Sequence, residues 1–547
     1  MLMSRRAIAK FHSRPHRDYS KWKNLSDKAL LRRMRRLPVR PPIWSRLKKH
    51  QKTCLVIGAR KRQFAFFNET GTGKTFLSIG LMSYFRATGE TRCNLVLVPN
   101  KINKYEWRDE GFAKHAPNMK CIVLSGSTEQ KWKLIEDNPD ADCFVETYMG
   151  FVRMVSDIKE VKRKKGKVNK LTPDRKRVKA VCKLFDGVYL DESTYVKNKA
   201  SLPWRICNQL SKTANAFFIL TATPFGRDVE DVWPQVFLVD RGETLGETLG
   251  LFRASFFKEK DNFWGGKEYK IDKEGKRAIS RRLDNISIAY PADEADMPHL
   301  SRVPKYAVLS EDAEQLYERA KTSLLAAKGN YTESKNAFMR MRQISSGFVG
   351  FNDGETGNKA KFVFPTNPKL DMLEALVTTF KPEHKFIVFH EFNYSAGVIS
   401  AKLKELGIKH VLINGMRNDG DAARTAFKKD PTVQALVLSN SAGGYGLNLQ
   451  NAKYGIYYES PVGAILRKQT EKRFDRQYSL HDSVIIFDLI VKGTVDQSIL
   501  NFHAEGRSLW KAILNHGPGS VFKPARNQST KIKPVRGIVR ERLPVAA

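Results

Sequence analysis

From about residue 50 to 235, short apolar runs alternate with stretches whose apolar positions recur at helical spacing. The runs QFAFFN, NLVLVP, KCIVLS, DCFVET, GVYLDE and AFFILTAT read as strands. Strands that alternate with helices imply a parallel sheet covered by helices on both faces. From 366 the same rhythm returns in KFIVFH, KHVLING, VQALVLSN, YGIYYES and SVIIFDLIV. Between the two α/β units the pattern is more helical and irregular, with a glycine-rich patch at Trp264-Gly265-Gly266 beside Phe263. The predicted architecture is a basic arm over 1–42, a first parallel-sheet lobe over 43–238, a helical insertion or linker over 239–365, a second lobe over 366–514 and a basic tail over 515–547. The two units share no obvious sequence repeat.

Composition narrows the class. The 547 residues suit two to four domains, and 41% hydrophobic with 10% aromatic content is that of a folded chain. An excess of 95 Lys and Arg over 57 Asp and Glu, formally +38, favours a polyanionic partner. Nucleic acid fits better than membrane, because no apolar run approaches the roughly 18 residues of a spanning helix. The six cysteines, Cys54, Cys93, Cys121, Cys143, Cys182 and Cys207, form no Cys-x-x-Cys pair and read as reduced core residues. The N-terminus is Arg-rich and acid-poor, and a solvated basic arm is the expected reading. Lys and Arg also dominate 159–183, read either as a clamp on a nucleic-acid backbone or as a solvated loop followed by an amphipathic helix.

The chemistry begins at Asn68-Glu69-Thr70-Gly71-Thr72-Gly73-Lys74-Thr75, preceded by an apolar strand and followed by a helix with Leu77, Leu81 and Phe85 on its apolar face. This is the setting of a phosphate-binding loop. Glycines admit backbone N–H groups to the phosphates, and the helix directs its N-terminal dipole at them. Lys74 would reach the β- and γ-phosphates, and Thr75 would ligate Mg²⁺. A second apolar strand ends in Asp191-Glu192. At the C-terminal edge of the same sheet, Asp191 would hold the Mg²⁺ shell, in part through water, and Glu192 would polarise an attacking water. The expected cofactors are therefore ATP and Mg²⁺.

These motifs resemble those of superfamily-two helicases, and more narrowly of their Swi/Snf-like branch. The phosphate loop, the acidic box Asp191-Glu192-Ser193-Thr194 and Leu220-Thr221-Ala222-Thr223-Pro224 look like motifs I, II and III. Motif I of that branch commonly opens Asp-Glu, which accounts for Asn68-Glu69 where a plain phosphate loop has Gly. Gln51 matches the adenine-sensing glutamine. Val98-Pro99 with Trp107 resembles motif Ia, and Thr147-Tyr148 resembles motif Ib. Lys197-Asn198, Met341-Arg342-Gln343-Ile344 and Lys369-Leu370 match further stretches. Ser441 to Leu449, with Gly444 and Gly446, is similar to motif V. Gln469-Thr470-Glu471-Lys472-Arg473-Phe474-Asp475-Arg476 is similar to motif VI. The match runs in order from Gln51 to about Leu500. It implies two RecA-like lobes with one nucleotide between them, Arg473 and Arg476 as arginine-finger candidates, and Thr221, Thr223, Gly444, Gly446 and Gln469 as residues coupling hydrolysis to movement.

Two departures stand out: Thr194 replaces the usual His of the acidic box, and Gln477-Tyr478-Ser479 follows Arg476 where Ile-Gly-Gln is usual. The expected function is an ATP-hydrolysing motor on double-stranded DNA, in replication, recombination or repair. A strand-separating DNA or RNA helicase and an ATP-gated nucleic-acid-binding switch are the alternatives. Replication or recombination proteins are candidate partners, and a monomer is expected, without membrane association. The limited room for histone-reading or nuclease domains suits a bacterial or phage enzyme of the cytoplasm, with the nucleus the other compartment open to it.

Overall fold

In a computed structural model, the described residues are 5–522 except 15, 164–165, 226–227, 262–266, 292–298, 328–330, 353–358, 415–419, 444–448, 472, 474–480, 482, 506–508 and 510–517. Seven parallel strands form the first sheet: β1 Gln63–Phe66, β2 Asn94–Val98, β3 Cys121–Val123, β4 Cys143–Thr147, β5 Gly187–Asp191, β6 Ala216–Leu220 and β7 Ser287–Ile288. Their order is β7-β1-β6-β5-β2-β4-β3. Six parallel strands form the second: β8 His299–Ala307, β9 Lys385–His390, β10 His410–Ile413, β11 Ala435–Ser439, β12 Ala452–Tyr457 and β13 Ser483–Val491. Their order is β8-β13-β12-β9-β11-β10. All eleven apolar runs are strands, and the central ones are buried along nearly their whole length, as helix-covered parallel sheets require.

The sheet order places the chemistry. β1, β6 and β5 are neighbours, so the phosphate loop after β1, the Thr221 segment after β6 and the acidic box after β5 leave the same sheet edge side by side. Polar residues at segment boundaries start the intervening helices. Asn100 accepts from Asn103 N (3.1 Å) ahead of helix Lys101–Glu106, and Thr147 accepts from Gly150 N (2.9 Å) ahead of helix Tyr148–Met154.

Two segments differ from the sequence reading. The 239–365 stretch, expected to be a helical insertion or linker, supplies β7 to the first sheet and β8 to the second. Two residues of β7 and an edge strand with little alternation, β8, leave too weak a periodic signal to be read locally. The N-terminal arm is folded onto the first lobe rather than solvated. Phe11 is buried against Phe256, Arg282 donates to the carbonyls of Phe11 (3.0 Å) and His12 (2.8 Å), and Leu30 and Met34 join the same core. Its charge hid a sparse apolar set that only tertiary packing uses. All six cysteines are thiols outside any disulfide. Among the described residues, no helix is long and apolar enough to cross a membrane.

Candidate nucleotide site between the lobes

β1 leads into a loop in which Gly71 and Gly73 take φ of +89° and +77°. A Cβ on Gly73 would lie 2.3 Å from Gln51 Nε2, so conformation and space both demand glycine there. Above Gly71 a Cβ would meet nothing within 4 Å, and the loop is open on that side. Helix Lys74–Ala87 starts directly behind it. Lys74 Nζ donates to the carbonyls of Asn68 (3.0 Å) and Glu69 (3.1 Å), which holds the ammonium over the loop. Gln51 accepts from Lys48 N and donates to Thr72 O, each at 3.0 Å, and His50 Nε2 donates to the same carbonyl at 2.9 Å. Asn68 donates to Cys54 Sγ (3.6 Å) and accepts from Tyr290 N (3.1 Å). An amide can do both, whereas the carboxylate usual at this place could only accept. Thr75 lies in the first turn of the helix, its methyl 3.1 Å from where a side chain on Gly111 would begin.

The acidic box is braced from several elements. Trp107 Nε1 donates to Asp191 Oδ2 (2.9 Å), and Tyr148 Oη donates to Asp191 O (2.9 Å). Glu192 sits at φ +52°, a left-handed conformation that costs a non-glycine residue about 1–3 kcal/mol and that surrounding contacts must maintain. Those contacts are hydrogen bonds to Glu192 Oε1 from Thr221 Oγ1 (2.8 Å) and Thr194 Oγ1 (3.1 Å). Burial pushes the Glu192 carboxyl above its ordinary range, opposed by the Lys74 charge and the Thr221 hydrogen bond. Ser193 donates to Gln235 (2.7 Å), whose amide in turn binds the carbonyls of Pro224 and Asp231 (both 2.7 Å). Thr223 donates its N–H to Thr221 Oγ1 (3.1 Å), and its own hydroxyl has no hydrogen-bond partner among the described residues.

From the second lobe, Arg473 reaches this cluster. Burial lowers its pKa, while the negative charges of Glu106, Glu192 and Asp191 oppose that shift, which places the guanidinium within electrostatic reach of the acidic box. Gln469 is part-buried on helix Ala464–Glu471. Arg476, Gly444, Gly446, Phe263 and the Trp264-Gly265-Gly266 patch lie outside the described residues, as does most of the basic tail.

Other contributors join motif residues already named, Trp107, Thr147 and Tyr148, to partners that gave no signal as local motifs. The π-helix Trp107–Phe112 links the acidic box to the second lobe: Trp107 holds Asp191, Arg424 pairs with Asp109 (3.4 Å), and Glu110 accepts from Lys428 and from Lys114. A cleft of about 940 Å³ runs beside it, walled by Lys101, Thr147, Met149 and Arg153 of the first lobe and by Asn414 and Ser441 of the second. Under that wall, buried Glu146 binds Lys104 (3.1 Å) and Lys131 (2.6 Å). Tyr195, also lining the cleft, stacks on Tyr148 with centroids 5.2 Å apart and planes at 6°. A continuous contact path thus joins the cleft to Asp191. Apart from the local Glu110–Lys114 pair, these contacts join residues separated in sequence, so only the folded chain brings them together.

The donor set fits a magnesium–nucleoside triphosphate: an open glycine loop at a helix N-terminus, a lysine, a hydroxyl at Thr75 and the Asp191 carboxylate. Two tandem parallel-sheet lobes, a phosphate-loop motif on the first and an arginine of the second within electrostatic reach of the acidic box define a helicase-like α/β core. The profile of the family described as "SNF2-related domain" matches residues 27–343, and the chain belongs to that family. An uncharacterised ATP-dependent helicase of Mycoplasma genitalium is 25% identical over 464 residues, covering 82% of this chain and 40% of that protein. Helicase SWR1 of Eremothecium gossypii is 25% identical over 295 residues, covering 51% of this chain and 18% of its own length. The SWI2/SNF2 ATPase core of Sulfolobus solfataricus, solved in complex with dsDNA, is 20% identical with a TM-score of 0.36, covering 86% of this chain and 93% of that one. The chain spans well under two thirds of these curated relatives.

Proposed function

We propose that this protein is an ATP-hydrolysing motor that translocates on double-stranded DNA and remodels DNA or protein–DNA complexes. The observation that carries the reading is that Arg473 of the second lobe shares one electrostatic cluster with Asp191 and Glu192 of the first. A site completed only when both lobes contribute makes hydrolysis and lobe closure one event. Bound Mg²⁺–ATP supplies the phosphoanhydride and the metal charge. Lys74 and the loop N–H groups would hold the phosphates, Thr75 and Asp191 would hold the metal shell, Glu192 would take a proton from the attacking water and Arg473 would offset charge on the transferred group. The raised Glu192 pKa suits a proton acceptor.

Movement would follow from alternate grip on a backbone laid along the inter-lobe cleft. The Tyr148–Tyr195 stack supports a link between that cleft and the acidic box, wired without the histidine that Thr194 replaces. Double-stranded DNA is favoured by family membership and by the net charge of +38. Roles in replication, recombination or repair, in a bacterial or phage-infected cytoplasm, belong to this same proposal.

The test is steady-state ATP hydrolysis at fixed salt with no nucleic acid, blunt duplex DNA, single-stranded DNA or RNA. Strong stimulation by blunt duplex supports the translocase. Preference for single strands or RNA transfers the reading to a strand-separating helicase. No stimulation by any of them leaves an ATP-gated binding protein.

A further inference from the structure

The described residues of the 159–183 run belong to two parts, a ribbon and a helix. Strands Ser156–Arg163 and Gly166–Pro173 form an antiparallel ribbon of eight residues each, paired with no third strand among the described residues. At about 3.4 Å per residue the ribbon is about 27 Å long, most of the roughly 34 Å of one duplex turn. Helix Arg175–Leu184 follows, capped by Asp174 and carrying no acidic residue. Arg177 fixes the junction by binding Asp157 (2.6 Å) and Ser156 O (3.3 Å).

The register is the informative feature. Lys159 faces Lys170 across the ladder, and Lys162 is in register with Lys167. Like charges directly opposite each other destabilise a strand pair, and a ribbon of only two strands has little stability to spare. Residues 156–173 contain seven Lys or Arg against Asp157 and Glu160, and Asp157 is already engaged by Arg177. The helix extends the same charge: Arg175, Lys176, Lys179 and Lys183 are exposed, with Lys179 and Lys183 one turn apart, while Val181 is buried. Position supplies a second argument. The ribbon begins three residues after Arg153, which walls the inter-lobe cleft.

We infer that this ribbon and helix form one basic arm that lies along the phosphate backbone of duplex nucleic acid outside the cleft, extending the grip of the lobes. Phosphates between the opposed lysines turn a repulsive pair into a bridged one. The inference rests on the proposed duplex-DNA reading. Because its contacts are to phosphates, the arm adds affinity without sequence preference.

The experiment measures equilibrium binding of wild-type protein to blunt duplexes of unrelated sequence, across about 50–200 mM salt. One variant combines Lys159→Gln, Lys162→Gln, Lys167→Gln and Lys170→Gln. A second excises 159–170 and joins the cross-strand partners Ile158 and Leu171 through Asn-Gly, which closes a two-residue hairpin. Thermal melting confirms that each variant folds. The expected result is a log–log salt slope shallower by about 0.9 for each lost phosphate contact, about 1.8 for the Lys159–Lys170 pair on one face, equally on every sequence. A slope unchanged in both variants overturns the arm as a DNA contact and is also what an acidic protein partner for the ribbon would give. The translocase reading then survives, because the wild type still binds. Failure of the wild type to bind duplex removes both.

Discussion

The hydroxyl of Thr221 offers the sharpest test of the catalytic site. It donates to Glu192 Oε1 at 2.8 Å, from a fully buried position, and opposes the burial that raises the Glu192 carboxyl. Thr221→Val removes the donor and keeps the shape. A hydrogen bond to a charged acceptor contributes about 1.5–3 kcal/mol, and about 1.4 kcal/mol corresponds to one pH unit. Glu192 accepts a proton only when ionised, and Thr221 stabilises the ionised form. Its loss therefore makes protonation easier, and the acidic limb of the ATP-hydrolysis pH profile climbs by about one to two pH units. Rates well above the limb return towards wild type. Thr221→Ser retains the donor and should leave the limb in place. Thr194→Val, which removes the longer 3.1 Å bond, should move it in the same direction by less. The assay is kcat for ATP at saturating Mg²⁺–ATP and saturating duplex, from mildly acidic to mildly alkaline pH. A limb that stays put, or moves to lower pH, in a variant of normal melting temperature would refute the role given to Glu192.

The other predictions address the parts of the site separately. Lys74→Ala should abolish nucleotide binding or turnover, whereas Glu192→Gln should bind nucleotide and trap the closed state; fluorescent-nucleotide titration alongside hydrolysis separates the two. Arg473→Ala should keep nucleotide affinity within a few fold but lower kcat by about a thousandfold or more, and hydrolysis at the wild-type rate would remove the inter-lobe site. Glu110 reports on lobe contact. Burial acts to raise its pKa, but hydrogen bonds from Lys114 and Lys428 and their charges hold it down at about 2. A depressed carboxyl stabilises the paired state fully above its ordinary pKa of about 4.3 and loses that effect as pH falls towards the folded value. Inter-lobe fluorescence transfer in the nucleotide-free protein should therefore change as pH drops below that range, and Glu110→Gln should abolish the response. An identical response in the variant would separate Glu110 from lobe contact.

The site was legible in the sequence where function forces residues into short contiguous motifs. Phosphate binding needs glycines, a lysine and a hydroxyl on one turn, so Gly71, Gly73, Lys74 and Thr75 could be read directly. The acidic box was readable for the same reason, because adjacent carboxylates must end a strand. The glutamine at 51 could be recognised by its place ahead of the loop, but not its partners: its bonds to Lys48 and Thr72 depend on how helix Lys49–Lys61 packs under the loop. Trp107 was legible as a motif residue, yet its indole contact with Asp191 was not.

The sequence by itself determined that the chain makes two parallel-sheet units, because apolar runs buried on both faces cannot be mistaken for half-exposed strands. It also carried the expectation of a phosphate-binding loop on the first unit and of a polyanionic partner. Tertiary structure alone decided the rest. It assigned β7 and β8 to the two sheets across a stretch without clear period, and folded the charged N-terminal arm onto the core through Phe11, Leu30 and Met34. It joined Asp109 and Glu110 to Arg424 and Lys428 across about 315 residues of chain, and turned a lysine-rich run into a registered ribbon. The physical reason is common to all of these. Local periodicity records which face of an element is buried, whereas pairing partners, ion pairs and edges depend on contacts between residues that sequence order leaves far apart.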